Sequence, residues 1–161
     1  GHSDRRYILV ETDEVVNQKI KTALATGVTP VLFVGEKERG ESKEEVLTKQ
    51  LTQDLEGLRA EEVSKVLVCY EPVWAISTTP GSEPDTPENA AKASEEFKSV
   101  INRLYSKGAA DFVRIIYGGS VNPGNVATFL REGAMQGVLV GSSSLSAGRF
   151  LDVLRRSTDA G

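Results

Sequence analysis

The hydrophobic positions of this chain follow two alternating patterns. Short unbroken apolar runs lie at residues 30–34, 66–70, 112–117 and 137–140, and such runs are typical of strands buried on both faces. Longer segments carry apolar residues every three or four positions, which predicts helices that bury one face. Strands that alternate with helices predict an α/β fold with a parallel sheet and right-handed crossovers.

Polar, glycine and proline residues predict where the helices begin and end. Thr12 or Asp13 can cap the first helix, and Gly27 can end it. Residues 42–45 form a capping box at the start of the second helix. Thr86 followed by Pro87 predicts the start of a third helix. Further helices are expected after Asn122 and from Ser146 to Arg156, while Gly108 and Gly133 are expected to end the third and fourth.

The run at 66–70 leads directly into a carboxylate, Glu71, and the next residue is Pro72, which cannot continue a central strand. Glu71 therefore lies where a strand gives way to a loop. The polar segment 77–87 that follows is long enough to act as a lid. A carboxylate at the carboxyl end of a strand, beside a lid, suits a general base. The alternative is a structural carboxylate that caps a backbone or pairs with a lysine.

Composition limits the classes of function. The 161 residues include 19 Lys and Arg against 23 Asp and Glu, so the net charge of −4 offers no basic surface for nucleic acid. One cysteine, Cys69, excludes an internal disulfide and fits a reducing compartment. No apolar stretch approaches the roughly 20 residues of a membrane span, and no signal peptide is visible. We therefore expect a cytoplasmic protein in which residues 1–161 form a single domain, with a frayed polar tail at 157–161.

Four segments resemble triosephosphate isomerase, in the order in which that family has them. They are residues 1–6 (GHSDRR), 70–76 (YEPVWAI), 117–121 (YGGSV) and 137–142 (GVLVGS). The resemblance covers the later part of the family, from the end of its fourth strand onward. It implies a (β/α)8 TIM barrel of which this chain supplies roughly the second half, as four parallel strands with flanking helices.

A half barrel has two open sheet edges and an uncovered apolar inner face. A leading part of the natural chain, a second polypeptide or collapse into a compact open sheet would each resolve this, and we expect the first. The residues expected to point inward are Val31, Phe33, Val66, Val68, Ile115, Val138 and Val140.

The resemblance implies that the chain interconverts glyceraldehyde 3-phosphate and dihydroxyacetone phosphate in glycolysis and gluconeogenesis. Glu71 would be the base, and His2 the electrophile that stabilises the enediolate, with Ser3 and Asp4 in support. Helix amides after Ser3 would face the His2 ring and keep it neutral. This acid–base tuning is a known property of the family and no separate deduction from these residues. His2 could instead be a tag residue, but the continuation through Arg6 follows the family pattern.

The substrate phosphate would be held by Ser120, by backbone amides around Gly141 and Ser142, and by the Ser77 amide as the lid closes. Alternatively, residues 118–119 are only a tight turn. Ser77 and Ser142 stand where the family usually has glycine, and Asp4 stands where glutamate is usual. The lid is also about three residues longer than the usual loop.

The family's substrate-binding asparagine and lysine lie in its first βα unit, and nothing in this sequence matches that unit. Little turnover is therefore expected from this chain alone. The alternative is a non-catalytic half barrel that associates and binds phosphate. A third possibility, another phosphate-handling barrel such as an epimerase, is disfavoured by the sequence of residues 71–76. The resemblance implies no cofactor or metal, and implies a homodimer or a complementing N-terminal half barrel as partner.

Overall fold

The computed structural model describes residues 1–158, and the last three positions of the predicted frayed tail lie outside that range. Seven α-helices alternate with three strands in this part of the chain. The helices are α1 (Asp13–Ala25), α2 (Lys43–Asp54), α3 (Ala60–Val63), α4 (Pro87–Leu104), α5 (Lys107–Phe112), α6 (Val126–Arg131) and α7 (Ala147–Thr158). No helix within residues 1–158 is long and apolar enough to cross a membrane.

The strands β1 (Val31–Val34), β2 (Leu67–Tyr70) and β3 (Arg114–Tyr117) form a parallel sheet in that order. Their register pairs Val31 with Leu67, and Leu67 in turn with Arg114. Each strand lies within an apolar run that predicts it, so this part of the sequence prediction is confirmed. The carboxyl ends of the three strands therefore meet at one edge of the sheet, where Glu71 follows β2.

The predicted fourth strand at 137–140 is wrong as a full strand. A single parallel bridge joins Tyr117 to Val138. It is closed by hydrogen bonds from Tyr117 N to Gly137 O (3.0 Å) and from Leu139 N to Tyr117 O (2.8 Å). One step earlier, the side-chain oxygen of Gln136 accepts from Ile115 N at 2.7 Å, where a backbone carbonyl would continue a ladder. Gln136 N still donates to Ile115 O at 2.9 Å, so the side chain replaces only one of the two backbone partners at this step.

The helix starts predicted at Thr12, Ser42 and Thr86 are confirmed at the atomic level. The start predicted at Asn122 is wrong: α6 begins at Val126 with Asn125 as its N-cap residue, and the Asn122 side chain accepts from Gly124 N at 2.8 Å in the preceding turn. The Thr12, Ser42 and Thr86 hydroxyls accept from backbone amides three residues later, at 3.5, 3.4 and 3.2 Å respectively. Each bond satisfies one of the amides that a helix start leaves without a partner. Gly27 follows α1 with a φ of 76°, a left-handed conformation that glycine adopts without strain.

The predicted stop at Gly108 is wrong. Helix α4 ends four residues earlier, and Ser106 caps α5, its hydroxyl accepting from Ala109 N at 3.2 Å. Gly108 therefore lies inside α5 rather than after α4. Phe112, predicted to open the third strand, ends this helix and is 74% exposed.

The main core lies between the sheet and its helices. By register, Leu32, Val68 and Ile115 share the face that packs against the helices, and all three are buried. The opposite, inner face carries Val31, Phe33, Leu67, Cys69, Arg114 and Ile116. The inward assignment is thus correct for Val31 and Phe33. It is wrong for Val66, Val68 and Ile115, which belong to the helix-side core, and for Val138 and Val140, which pack against that core.

The start of the chain is held against β1 by one arginine. A single π-helical turn, Asp4–Ile8, carries Arg6. Its guanidinium donates to Asp54 Oδ2 at 2.5 Å and to Gly1 O at 2.7 Å, and it also pairs with Asp13. Asp54 is fully buried, so the arginine compensates a charge that would be costly alone. These bonds place His2 beside the end of β1.

Candidate active site

A cavity of about 310 Å³ opens at the edge of the sheet where the strands end. All eight site residues predicted from the sequence line this cavity, which brings together segments distant along the chain. They are His2, Ser3, Asp4, Glu71, Ser77, Ser120, Gly141 and Ser142. The chain start and Glu71 face the segments 76–79, 118–121 and 141–145 across the cavity.

The Glu71 carboxylate forms part of the cavity wall and is only 4% exposed. Its Oε2 accepts from Ser3 N at 2.8 Å, and its Oε1 lies 3.0 Å from His2 Nε2. Burial raises the pKa of Glu71, while the neighbouring His2 and the hydrogen bond from Ser3 act in the lowering direction. The carboxyl therefore holds a proton more readily than an exposed glutamate.

The His2 ring is oriented by the turn that follows it. Its Nδ1 accepts a hydrogen bond from Asp4 N at 3.1 Å, so the proton of the neutral ring lies on Nε2. Nε2 is the atom that faces Glu71. The ring also packs edge-on against Phe33, with centroids 5.1 Å apart. A backbone amide of the helical turn thus faces the His2 ring.

Two glycine-containing loops form the opposite wall of the cavity, the first at 118–120 and the second at 141–144. Gly118 directly follows β3 and packs against Cys69 of β2, so that an added Cβ would lie 2.3 Å from Cys69 Sγ. The Ser143 hydroxyl donates to Val121 O at 2.8 Å and joins the second loop to the end of the first. The two loops are therefore held at a fixed separation.

The lid begins with a short 3-10 turn, Val73–Ala75, and returns to α4. Its base is closed by a hydrogen bond from Glu83 N to Trp74 O at 3.1 Å. Residues 77–79 line the cavity, and the Ser77 hydroxyl lies 3.1 Å from the Ser142 hydroxyl. The lid thus touches the second glycine loop.

A buried polar network behind the cavity was missed from the sequence. Lys43 Nζ lies 3.1 Å from Glu36 Oε1 and donates to the Tyr70 hydroxyl at 2.7 Å. Asn89 donates through Nδ2 to the same hydroxyl (3.1 Å) and to Asp85 Oδ1 (2.7 Å). The network joins the end of the lid to Tyr70, the residue before Glu71. The sequence did contain one indication of this network, namely a tyrosine at the end of a buried strand, because a buried tyrosine hydroxyl needs a hydrogen-bond partner.

Comparison with known proteins identifies the family to which the chain belongs. The family model described as triosephosphate isomerase matches residues 1–157. This chain belongs to the triosephosphate isomerase family. The triosephosphate isomerase of Dictyoglomus thermophilum is 42% identical over 159 residues, which cover 96% of this chain and 62% of the relative. That of Citrifermentans bemidjiense is also 42% identical, over 161 residues, with 98% and 62% covered.

A third triosephosphate isomerase, from Caldanaerobacter subterraneus subsp. tengcongensis, is 41% identical over 158 residues. The chain spans 62% of the length of each of these curated relatives. The parallel sheet with flanking helices is consistent with part of the α/β barrel of triosephosphate isomerase.

The contact between Gly118 and Cys69 gives a testable prediction about packing in the site. We expect Gly118→Ala to lower the free energy of unfolding by about 1–3 kcal/mol, because the new methyl group overlaps the sulfur atom. Cys69→Ala in the same chain should restore part of that loss. Gly148→Ala is the control, since a Cβ there meets nothing within 4 Å and Gly148 lies in α7. Urea unfolding measures the three variants and the unchanged chain, and an unrelieved double variant would assign the cost elsewhere.

Proposed function

We propose that this chain carries the base, the electrophile and the phosphate grip of triosephosphate isomerase. The reaction interconverts glyceraldehyde 3-phosphate and dihydroxyacetone phosphate by proton transfer through an enediolate. The observation that carries the proposal is the 3.0 Å contact between His2 Nε2 and the buried Glu71 carboxylate, in a cavity whose other wall is two glycine loops. A base and a proton donor thus lie together within reach of an anion-binding surface.

Glu71 takes the proton from the carbon next to the carbonyl. Its burial and raised pKa favour this role, since a base is most effective when its pKa is closer to the working pH. His2 donates from Nε2 to the oxygen on which negative charge develops. Because Nε2 lies 3.0 Å from the Glu71 carboxylate, the substrate must enter between the two side chains and take over this hydrogen bond.

The phosphate lies at the opposite wall, on Ser120 and on the amides of Gly141 and Ser142. Glycine allows the backbone to approach an anion closely, and the 3-10 turn Ser142–Leu145 starts at this point. The lid covers the phosphate, with the Ser77 amide as a further donor. Excluding water protects the enediolate from losing phosphate.

The lysine that the family places near the phosphate has no counterpart among these 161 residues. We therefore propose that the 161-residue chain alone turns over little substrate, and that its partner is a second copy in a homodimer or a complementing N-terminal half barrel. We further propose that residues 1–161 form one domain and that the protein acts in the cytoplasm, without cofactor or metal.

Phosphate binding and isomerase activity test this proposal separately. We expect the chain alone to bind inorganic phosphate, because the donors lie within its own loops. Ser120→Ala should weaken that binding about 2- to 10-fold, the range for one hydrogen bond. Ser64→Ala is a control, since that hydroxyl donates to Glu61 O on α3, outside the cavity.

Titration calorimetry measures the binding, and coupled assays in both directions measure turnover with and without an added N-terminal half. Phosphate binding without turnover in any assembly would favour the non-catalytic alternative. Absence of phosphate binding would contradict the proposed grip.

A further inference from the structure

Two serine side chains meet across the mouth of the cavity. The Ser77 hydroxyl on the lid lies 3.1 Å from the Ser142 hydroxyl on the second glycine loop, although 65 residues separate them in sequence. Both residues line the cavity. Both also stand where the triosephosphate isomerase pattern usually has glycine, which has no side chain to make such a contact.

The neighbouring serines of the second glycine loop have other partners. Ser143 donates to Val121 O at 2.8 Å, and Ser144 donates to Gly141 O at 2.7 Å. Their hydroxyls therefore hold the loop itself. Ser142 differs, because its hydroxyl reaches the lid.

A hydroxyl pair leaves one hydrogen-bond donor to spare. Each hydroxyl has one proton and two acceptor positions, so their mutual bond uses only one of the two protons. Either serine can be the donor in this bond. The remaining O–H lies in the wall of the cavity and is available to an anion bound between the lid and the loop.

We propose that Ser77 and Ser142 form a clasp that holds the lid over the phosphate site before substrate arrives and supplies one hydroxyl to the phosphate group. This inference rests on the proposed function, since it extends the phosphate grip described above. A lid already in position spares the bound anion the cost of ordering it, which raises the apparent affinity. The clasp makes both serines positioning residues for a phosphate monoester.

Inorganic phosphate binding to the 161-residue chain tests the clasp by a double-variant cycle. We expect Ser77→Ala and Ser142→Ala each to weaken binding roughly 2- to 10-fold. The fold-reduction in phosphate affinity of the double variant should be much smaller than the product of the two single-variant reductions, because either change alone opens the clasp. Ser64→Ala is the control, because its hydroxyl donates to Glu61 O outside the cavity, and it should bind phosphate within about twofold of the unchanged chain.

Trp74 reports on the lid directly, because it is the chain's one tryptophan and lies at the root of the lid. Without phosphate, its fluorescence anisotropy should fall in both single variants and stay unchanged in Ser64→Ala. Ser77→Gly and Ser142→Gly, which restore the family's usual residue, should show the same fall. Thermal melts identify any variant that is simply unfolded.

The outcomes separate the two proposals. If the unchanged chain binds phosphate while the serine variants bind equally well, or lose affinity additively, the clasp is wrong and the phosphate grip stands. An equal loss in Ser64→Ala would also overturn the clasp, because it would show that the effect is not specific to these two serines. If the unchanged chain does not bind phosphate at all, the phosphate grip fails as well.

Discussion

We expect replacement of Glu71 by glutamine to lower kcat by about 10²- to 10⁴-fold in the proposed active assembly and to change KM far less. Glutamine keeps the shape of the side chain and can still accept from Ser3 N, the bond that Glu71 Oε2 receives at 2.8 Å. It cannot take a proton from carbon. The loss therefore falls on the chemical step, and steady-state kinetics in both directions measure it.

The pH dependence follows from the raised pKa of Glu71. Because the base must be ionised, the acid limb of kcat/KM should lie above the ordinary pKa of glutamate, near 4.5. The same shift bears on stability. A carboxyl whose folded pKa is raised favours folding when protonated, so that contribution is lost as pH rises through the folded pKa. Glu71→Gln should therefore lose less stability than the unchanged chain between acid and neutral pH.

Glu36 provides the matched control. It follows β1 as Glu71 follows β2 and is equally buried, at 4% exposure, but it pairs with Lys43 and lies outside the cavity. Glu36→Gln should lower the melting temperature, since it leaves Lys43 with a weaker partner, and should retain kcat within about tenfold. A Glu71→Gln enzyme with near-normal kcat would assign the base to another residue.

The position of Glu71 was predictable because local rules decide it. An unbroken apolar run followed by a carboxylate and a proline can only end a strand, and β2 ends at Tyr70. Helix caps obey equally local rules, which explains why Thr12, Ser42 and Thr86 were predicted correctly. Roles within the site came from the family resemblance and stay predictions.

The errors arose where a distant partner or a competing local signal decides the structure. The run at 137–140 looks like a strand, yet Gln136, the residue before it, bonds through its side chain to β3 and leaves one bridge. Gly108 resembles a helix stop, but Ser106 had already started a new helix. The inward-facing residues of β2 were predicted wrongly, because a run in which every residue is apolar has no polar–apolar alternation to show which side chains face inward.

The polar network behind the site was unpredictable for a related reason. Lys43 and Tyr70 are 27 residues apart in sequence, and Lys43 and Asn89 are 46 apart. No periodicity connects such positions, so only the folded arrangement shows that they share a hydroxyl and an amide. A buried network of this kind is sensitive to the loss of any one member.

The 161-residue chain should not remain a monomer in solution. In residues 1–158, β1 pairs on one side only, with β2, so its other edge has no strand partner, although Arg6 donates to Phe33 O there. Val31, on the inner face of β1, is 38% exposed, and Val28 just before it is 59% exposed. Helix α7 exposes further apolar side chains, namely Phe150, Leu151 and Leu154. An open strand edge beside uncovered apolar surface favours pairing with another chain.

The expected size of this effect is large compared with folding stability. At about 25 cal/mol per Å² of apolar surface, several hundred Å² left in water forfeits several kcal/mol. A small domain has roughly 5–15 kcal/mol in total. The chain should therefore pair with a copy, capture a complementary half barrel or aggregate, and sedimentation equilibrium distinguishes these states from a monomer.

A charge on the open edge should weaken this association. Val31→Lys adds a lysine to the inner face of β1, where bringing it against a second chain requires removing its charge from water. We expect the dimerisation constant to weaken at least about tenfold. Gln53→Lys adds the same charge to the exposed side of α2 and should leave the dimerisation constant unchanged. A monomeric unchanged chain, with a cooperative melt and no binding of an apolar dye, would contradict the prediction, because it would show that the inner face is stable in water.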